Sequence, residues 1–149
     1  MVFSSGTERA TLKVPPHATD CHHHIHDHRF PWAPEATLKA GNATVAGYEK
    51  LQQRLGTTRN VIIQPSGYGV DNRLLIESIA KFNGQARGIA VVKTNVTQHE
   101  LDELDRGGVR GVRFNLAQGG HHDGRNDQAA RRTRRADGLA MCRSTRRPT

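Results

Sequence analysis

Short apolar runs alternate with amphipathic segments through the middle of the chain. Four runs have the length and composition of β-strands: one that begins within residues 20–28, then 60–64, 88–92 and 109–115. The run at 60–64 is continuously apolar, which is typical of a strand buried on both faces. The pattern therefore predicts four strands separated by longer segments.

The longer segments carry apolar residues at helical spacing. The first helix is predicted at residues 44–56, ends at Gly56, and carries apolar side chains at Val45, Tyr48, Leu51 and Leu55. Two more helices are predicted near 71–84 and 97–107, where Asp71 and Thr97 can cap the first turn. Strands that alternate with helices through short links predict right-handed βαβ units and a parallel sheet, so the fold class is α/β.

The periodic pattern divides the chain into three parts. Residues 1–17 show no sustained period and end in two prolines, so an irregular lead-in is expected there. Residues 18–120 hold the four predicted βα units in one domain. From residue 121 to 149 the apolar period disappears and arginines dominate, so we expect a disordered tail or one translated in a shifted reading frame.

The net charge of +8 is unevenly distributed. Residues 1–120 hold 14 Lys/Arg and 11 Asp/Glu, whereas 121–149 hold 8 and 3. Clustered arginines in the tail could bind nucleic acid through counterion release, but the tail lacks interleaved aromatic residues and any recognisable reading motif. Nucleic-acid binding is therefore a less favoured alternative.

Cysteine content and hydropathy restrict the expected cellular location of the protein. Cys21 and Cys142 are too few for a disulfide framework, and no apolar run approaches the length of a signal-peptide core or a membrane span. We expect a cytoplasmic protein with no membrane partner.

Five of the nine histidines lie within residues 22–28. Side chains alternate across a strand, so Asp20, His22 and His24 are predicted to share one face. Neighbouring positions on that face are about 6.6 Å apart along the backbone. Neutral imidazoles at such a position can ligate a metal, polarise a carbonyl or move a proton, and Asp20 could orient one of them. His23 is predicted to point away as a structural residue. A non-catalytic metal-binding tract is the alternative interpretation.

The chain resembles a known family through an ordered series of motifs between residues 15 and 120. The series comprises Thr19-Asp20-Cys21-His22-His23-His24-Ile25, Arg29-Phe30-Pro31, Tyr48 with Leu51 and Leu55-Gly56, Val61-Ile62-Ile63-Gln64-Pro65-Ser66, Asp71-Asn72, Arg87-Gly88-Ile89-Ala90-Val91-Val92 and Gly108-Val109-Arg110-Gly111-Val112-Arg113-Phe114-Asn115. It is similar to the amidohydrolase-related family that includes 2-pyrone-4,6-dicarboxylate lactonase and sugar-lactone hydrolases. The resemblance implies a (β/α)8 TIM barrel, of which this chain supplies about four units, a half barrel.

The resemblance also implies roles for individual residues. His22 and His24 match the first-strand pair, which ligates a divalent ion in metal-dependent relatives and positions substrate in the pyrone lactonases. Ser66 matches a serine that hydrogen-bonds a substrate carboxylate. Arg113 matches an arginine at the end of the fourth strand, where a guanidinium can bind carboxylate bidentately. The implied substrate is a small anionic lactone.

Several departures from the family pattern limit these implications. Metal-dependent relatives commonly carry lysine or glutamate where this chain reads Arg113-Phe114-Asn115, so we expect either no cofactor or one divalent metal such as zinc. The family's later histidine and the aspartate that activates the hydrolytic water have no counterpart in the printed sequence. We therefore expect an inactive fragment of a lactone hydrolase, with a half barrel whose open edges favour oligomerisation or aggregation.

Overall fold

The computed structural model describes residues 8–115 and 140–144 as one parallel β-sheet with helices between its strands. The elements in chain order are β1 Thr19–His23, α1 Val45–Leu55, β2 Arg59–Ile63, a 3-10 turn Ser66–Tyr68, α2 Arg73–Lys81, β3 Ala86–Ala90, α3 Gln98–Arg106, β4 Val109–Asn115 and β5 Ala140–Ser144. The strand order is β1-β2-β3-β4-β5, and every neighbouring pair is parallel. The predicted α/β class and the predicted alternation are confirmed.

The sheet contains one strand more than the pattern predicts. Residues Ala140–Ser144 pair with Gly111–Asn115 of β4 in continuous parallel register. The apolar stretch of β5 is short, residues 140–142, and arginine and serine complete the strand. It stands in the arginine-rich part of the sequence where no sustained apolar period is recognised, so the pattern does not predict this strand. The other tail residues, including the arginines at 131–135 and 146–147, lie outside the described residues.

The helix ends follow local capping rules, with one correction. Thr44 Oγ accepts the Gly47 N–H, and Thr97 forms a capping box with Glu100. Asp71, predicted to cap α2, lies one residue before the N-cap position and accepts the Arg73 N–H at 3.2 Å. The N-cap residue Asn72 instead bonds both backbone groups of Val91, which ties α2 to the chain just beyond β3.

One face of the sheet packs against the helices to form the core. The core includes Ile62 from β2, Ala86 and Ala90 from β3, and Val109 from β4, all at most 1% exposed, packed against Leu75, Ile79, Leu101 and other helical residues. Because all five strands are parallel, their carboxyl ends lie along one edge of the sheet, where the loops after β1 and β2 also begin. No helix in the described part of the chain has the length and apolar character needed to cross a membrane.

Candidate functional site

The two histidines of the predicted pair lie together at the carboxyl end of β1. His22 is exposed and His24 is half-buried, and their ring centroids are 5.2 Å apart in an edge-on arrangement. His22 lies within the strand and His24 follows directly after it. The structure therefore brings the two imidazoles to one position at the strand-end edge.

The hydrogen bond of His24 determines which of its nitrogens is available. Nδ1 lies 2.8 Å from the backbone oxygen of Ile63 at the end of β2. A carbonyl can only accept, so Nδ1 carries the proton, and in the neutral ring Nε2 presents a lone pair. Burial lowers the pKa of His24, and this effect outweighs the hydrogen bond to Ile63, which raises it. The charges of His22 and Arg113 lower the pKa further. His24 is therefore held as a neutral acceptor.

Arg113 lies in the carboxyl-terminal part of β4 and is half-buried. Its charge contributes to the lowered pKa of His24, which places the guanidinium within electrostatic range of the histidine pair. Arg110, three residues earlier, is exposed and pairs with Asp105 at 2.8 Å. The two arginines of β4 thus have different surroundings, as expected from their odd separation.

Ser66 occupies the first position of the 3-10 turn that follows β2. It is half-buried, and its backbone oxygen accepts the Gly69 N–H at 3.0 Å. The turn begins three residues after Ile63, whose carbonyl holds His24. Ser66 therefore lies on the same edge of the sheet as the histidine pair.

Asp20 does not take the position that strict alternation predicts. The register between β1 and β2 shifts between Asp20 and His23. One Asp20 carboxylate oxygen accepts the hydroxyl of Tyr48 at 2.8 Å, and the other accepts the backbone N–H of His22 at 3.1 Å. The register shift puts Asp20 and His23 together on Tyr48, on the helix side, so the described contacts of Asp20 are with Tyr48 and with the backbone of His22 and not with the ring of His22 or His24.

His23 forms a second polar cluster behind the site. Its ring stacks on Tyr48, and its Nε2 lies 3.0 Å from Oδ1 of the buried Asn60 in β2. Burial lowers the pKa of His23 despite the Asn60 bond and the nearby Asp20 charge, which raise it. The structural role expected for His23 agrees with these contacts, whereas its partners Tyr48 and Asn60 were not anticipated.

An aromatic cluster in the loop after β1 borders the histidine pair. The His26 ring centroid lies 6.3 Å from that of His24 and 5.6 Å from that of Trp32, and Trp32 stacks on Tyr68 at 4.6 Å. His26 also pairs with Ala43 through both backbone groups. His28 is exposed and bonds the Ala40 oxygen. His26 lies in this loop and forms part of the wall beside His24.

A metal at this site requires more ligands than the described residues assemble. Catalytic zinc sites generally use three protein ligands. His22 and His24 supply two imidazoles, and no group of three His, Cys, Asp or Glu side chains suited to a metal occurs in the described part of the chain. The described side chains therefore do not complete a metal site.

Comparison with known proteins relates this geometry to enzymes. The chain is 39% identical over 109 residues to a 2-pyrone-4,6-dicarboxylate hydrolase of Comamonas testosteroni, covering 72% of this chain and 36% of that protein. It is 32% identical over 106 residues to a 4-sulfomuconolactone hydrolase of Rhizobium radiobacter, covering 70% and 36%. The chain thus spans about a third of the length of these curated relatives.

The chain matches solved structures over about half of their length. A probable 2-pyrone-4,6-dicarboxylic acid hydrolase of Acinetobacter baumannii, solved with citric acid bound, superposes with a TM-score of 0.72 at 28% identity and covers 79% of this chain and 45% of that one. An Agrobacterium tumefaciens protein solved without ligand reaches a TM-score of 0.78 at 23% identity, covering 92% and 49%. The sheet described above therefore corresponds to a partial TIM barrel.

The model of one protein family covers most of the sequence. It is the amidohydrolase family, and the match extends over residues 19–148, from the first residue of β1 to beyond the end of β5. Taken with the strand-end histidine pair and the partial barrel, this match shows that the chain belongs to the amidohydrolase family.

Proposed function

We propose that this chain forms the substrate-positioning part of a hydrolase that opens a small anionic lactone, such as a pyrone dicarboxylate or a sugar lactone. The observation that carries the proposal is the pair of imidazoles, His22 and His24, at the end of β1, with Arg113 in the carboxyl-terminal part of the parallel strand β4. A lactone with a carboxylate presents a carbonyl to be attacked and a fixed negative charge to be bound. The three side chains match those two requirements.

Arg113 is proposed to bind the substrate carboxylate. Its guanidinium can make two parallel N–H···O bonds to a carboxylate, which orients the ring as well as holding it. Ser66, on the same edge after β2, adds a hydroxyl donor for a carboxylate oxygen. These two side chains suit a substrate that carries a carboxylate.

The histidines are proposed to act at the lactone carbonyl. His24 presents an acceptor at Nε2, so it can hold a water molecule through one of that water's protons. The ring nitrogens of His22 have no hydrogen-bond partner among the described residues, so a ring N–H is available to the carbonyl oxygen. His22 therefore stabilises the oxyanion, and His24 orients the nucleophile.

The reaction is the addition of water to a cyclic ester. Water attacks the carbonyl carbon, the tetrahedral oxyanion collapses, and the ring C–O bond breaks. The products are a carboxylate and a hydroxyl group on one opened molecule, with the proton of the carboxylic acid released. A base must take one water proton, and the family aspartate that does so has no counterpart in the printed sequence. We therefore expect the 149-residue chain to bind lactone without turning it over.

A binding titration of the 149-residue protein tests the proposal. Calorimetry with 2-pyrone-4,6-dicarboxylate should give saturable binding that weakens about tenfold or more in Arg113→Gln, because a charge-assisted hydrogen bond contributes about 1.5–3 kcal/mol. Arg110→Gln is the matched control, since it removes the same charge from the same strand and should bind like the parent. Uncharged 2-pyrone should bind far more weakly.

Two results would contradict the proposal. Equal weakening by Arg113→Gln and Arg110→Gln would mean that only net charge attracts the ligand. Turnover of the pyrone by pure 149-residue protein, abolished in His22→Ala, would show that the chain is active and that the missing-base argument is wrong.

A further inference from the structure

The turn that carries Ser66 is joined to the loop after β1. The turn spans Ser66–Tyr68 and follows β2, and the loop begins at His24, directly after β1. The Ala33 N–H in this loop donates to the Gly67 oxygen in the turn at 2.8 Å. The proposed carboxylate-binding serine and the histidine pair therefore lie in segments that are bonded to each other.

Tyr68 strengthens this junction through its hydroxyl. The residue is 2% exposed, and its hydroxyl accepts the Asp27 N–H at 3.0 Å and donates to the Asp27 oxygen at 3.1 Å. Burial raises the pKa of Tyr68, so the hydroxyl stays protonated and able to donate. The Phe30 N–H also donates to the Asp27 oxygen, so the Asp27 N–H is the group that depends most on Tyr68.

Close packing limits movement at this junction. The Trp32 ring stacks on Tyr68 with centroids 4.6 Å apart and planes inclined by 10°. A Cβ on Gly67 would lie 2.7 Å from Trp32 Cζ3, closer than a side chain can approach without displacement. The turn and the loop therefore cannot move closer together, and the Tyr68 bonds oppose their separation.

Two side chains connect the segments on either side of Ser66. His24 bonds the oxygen of Ile63, which lies three residues before Ser66, and Tyr68, two residues after Ser66, bonds Asp27. Asp27 in turn lies three residues after His24. The chain from His24 to Asp27 and the chain from Ile63 to Tyr68 are thus bonded at both ends, with Ser66 between the two connections.

We infer that Tyr68 is a positioning residue of the lactone site, which holds Ser66 at a fixed distance from His24 so that one substrate contacts both. This role rests on the proposed function. A pyrone carboxylate is rigid and keeps its carbonyl and its carboxylate at a fixed separation. A site with a matching fixed separation loses less conformational entropy when the substrate binds. Tyr68 is buried, so it acts through Ser66 and not by contact with the substrate.

A double-variant cycle, measured by calorimetry with 2-pyrone-4,6-dicarboxylate, tests this role. Tyr68→Phe keeps the ring that stacks on Trp32 and removes only the hydroxyl. We expect Ser66→Ala and Tyr68→Phe each to weaken binding at least about threefold, the usual scale of one hydrogen bond. The double variant should bind no more than about twofold more weakly than the weaker single variant, because Tyr68 acts through Ser66.

Tyr48→Phe is the matched control for the cycle. It also removes a tyrosine hydroxyl that makes a hydrogen bond, but that bond goes to Asp20 on the helix side of β1. Its effect on binding should multiply with that of Ser66→Ala, as expected for side chains without a shared partner.

Three results of the cycle would overturn the inference. Tyr68→Phe might multiply with Ser66→Ala as the control does, which would mean that Tyr68 serves only the stability of the fold. Full affinity in Tyr68→Phe or in Ser66→Ala would show that the serine needs no positioning. Absence of pyrone binding by the parent would overturn the lactone site itself, and the role of Tyr68 with it.

Amide hydrogen exchange of the ligand-free protein tests the junction without a substrate. The Asp27 and Ala33 amides should exchange at least about tenfold faster in Tyr68→Phe, because the bonds between the turn and the loop open more often. Tyr48→Phe should change the exchange of these two amides by less than about threefold. Unchanged exchange in Tyr68→Phe would show that the hydroxyl does not hold the segments together and would contradict the inference.

Discussion

The ring of His23 lies flat on the ring of Tyr48, with centroids 3.6 Å apart and planes inclined by 5°. The Tyr48 hydroxyl then donates to Asp20 at 2.8 Å, so one helix residue contacts both ends of β1. Burial and the Asp20 carboxylate raise the pKa of Tyr48, which keeps the hydroxyl protonated as a donor. The strand that carries His22 and His24 is therefore fixed from behind by α1.

Removal of the Tyr48 hydroxyl should destabilise this arrangement. We expect Tyr48→Phe to lower the free energy of unfolding by about 1–2 kcal/mol, because the stack remains while a hydrogen bond to a carboxylate is lost. The free energy of unfolding in urea should be measured for the parent, for Tyr48→Phe, for Asp20→Asn and for the double variant. The double variant should cost less than the sum of the two single changes. Strict additivity would show that the two side chains do not stabilise each other.

The same contact shows where prediction from the sequence stops. Apolar spacing places Tyr48 on the buried side of a helix, and the structure confirms this. Alternation along β1, however, assumes regular register, and the shift between Asp20 and His23 brings both side chains to Tyr48 on the same side of the strand. Such a shift depends on how β2 pairs with β1, which a single strand's pattern does not encode. The partner of Asp20 lies 28 residues away.

The histidine pair and the fifth strand show the two limits of periodicity. His22 and His24 are close because their spacing of two residues is a local property of the chain. β5 pairs through its backbone, and its short apolar stretch, residues 140–142, stands in arginine-rich sequence without a sustained apolar period. Local spacing could therefore predict the histidine pair, whereas the added strand depends on tertiary pairing.

Two glycines at helix-to-strand turns should differ in their tolerance of alanine. Gly84 and Gly108 have φ values of +84° and +87°, but a Cβ on Gly84 meets nothing within 4 Å, whereas one on Gly108 lies 2.8 Å from Ile79 Cγ2. Gly84→Ala should cost about 1–2 kcal/mol from backbone strain alone. Gly108→Ala should cost about 1–3 kcal/mol more because it also overpacks the core. Equal urea unfolding midpoints for Gly84→Ala and Gly108→Ala would disprove the steric difference between the two sites.

The sheet edges should make the 149-residue protein self-associate. Among the described residues, β1 and β5 each pair with one neighbouring strand, and unpaired strand edges recruit further strands. We expect the apparent mass in light scattering to rise with protein concentration under reducing conditions. Cys21→Lys, at an exposed position of β1, should reduce this rise. Gln53→Lys on the exposed side of α1 adds the same charge and should leave it unchanged.

Stability should fall on mild acidification because three histidines are partly buried. Burial lowers the pKa values of His23, His24 and His26 from the ordinary value of 6.5. Below that value the unfolded chain binds protons that the folded chain does not. The contribution of these three histidines to the free energy of unfolding is therefore fully present above pH 6.5. It is lost as the pH falls toward their lowered pKa values in the folded chain.

Unfolding free energies measured between pH 7.5 and pH 5 test this dependence, a window set by the ordinary histidine pKa of about 6.5. His24→Gln should flatten the slope, since glutamine does not titrate. His99→Gln, on the exposed surface of α3, should leave the slope unchanged. A parent protein whose stability is constant across this range would contradict the burial argument.

Zinc binding should report the geometry of the histidine pair directly. Two imidazoles 5.2 Å apart can both reach one ion, and the Ile63 bond leaves Nε2 of His24 as the available nitrogen. We expect weak binding in equilibrium dialysis, since two protein ligands are fewer than a catalytic site uses. His22→Ala or His24→Ala should weaken it at least about tenfold. His99→Ala, which removes an exposed histidine outside the pair, should bind zinc like the parent. If His22→Ala, His24→Ala and His99→Ala lose zinc equally, the ion is held by scattered surface histidines and the pair has no special affinity.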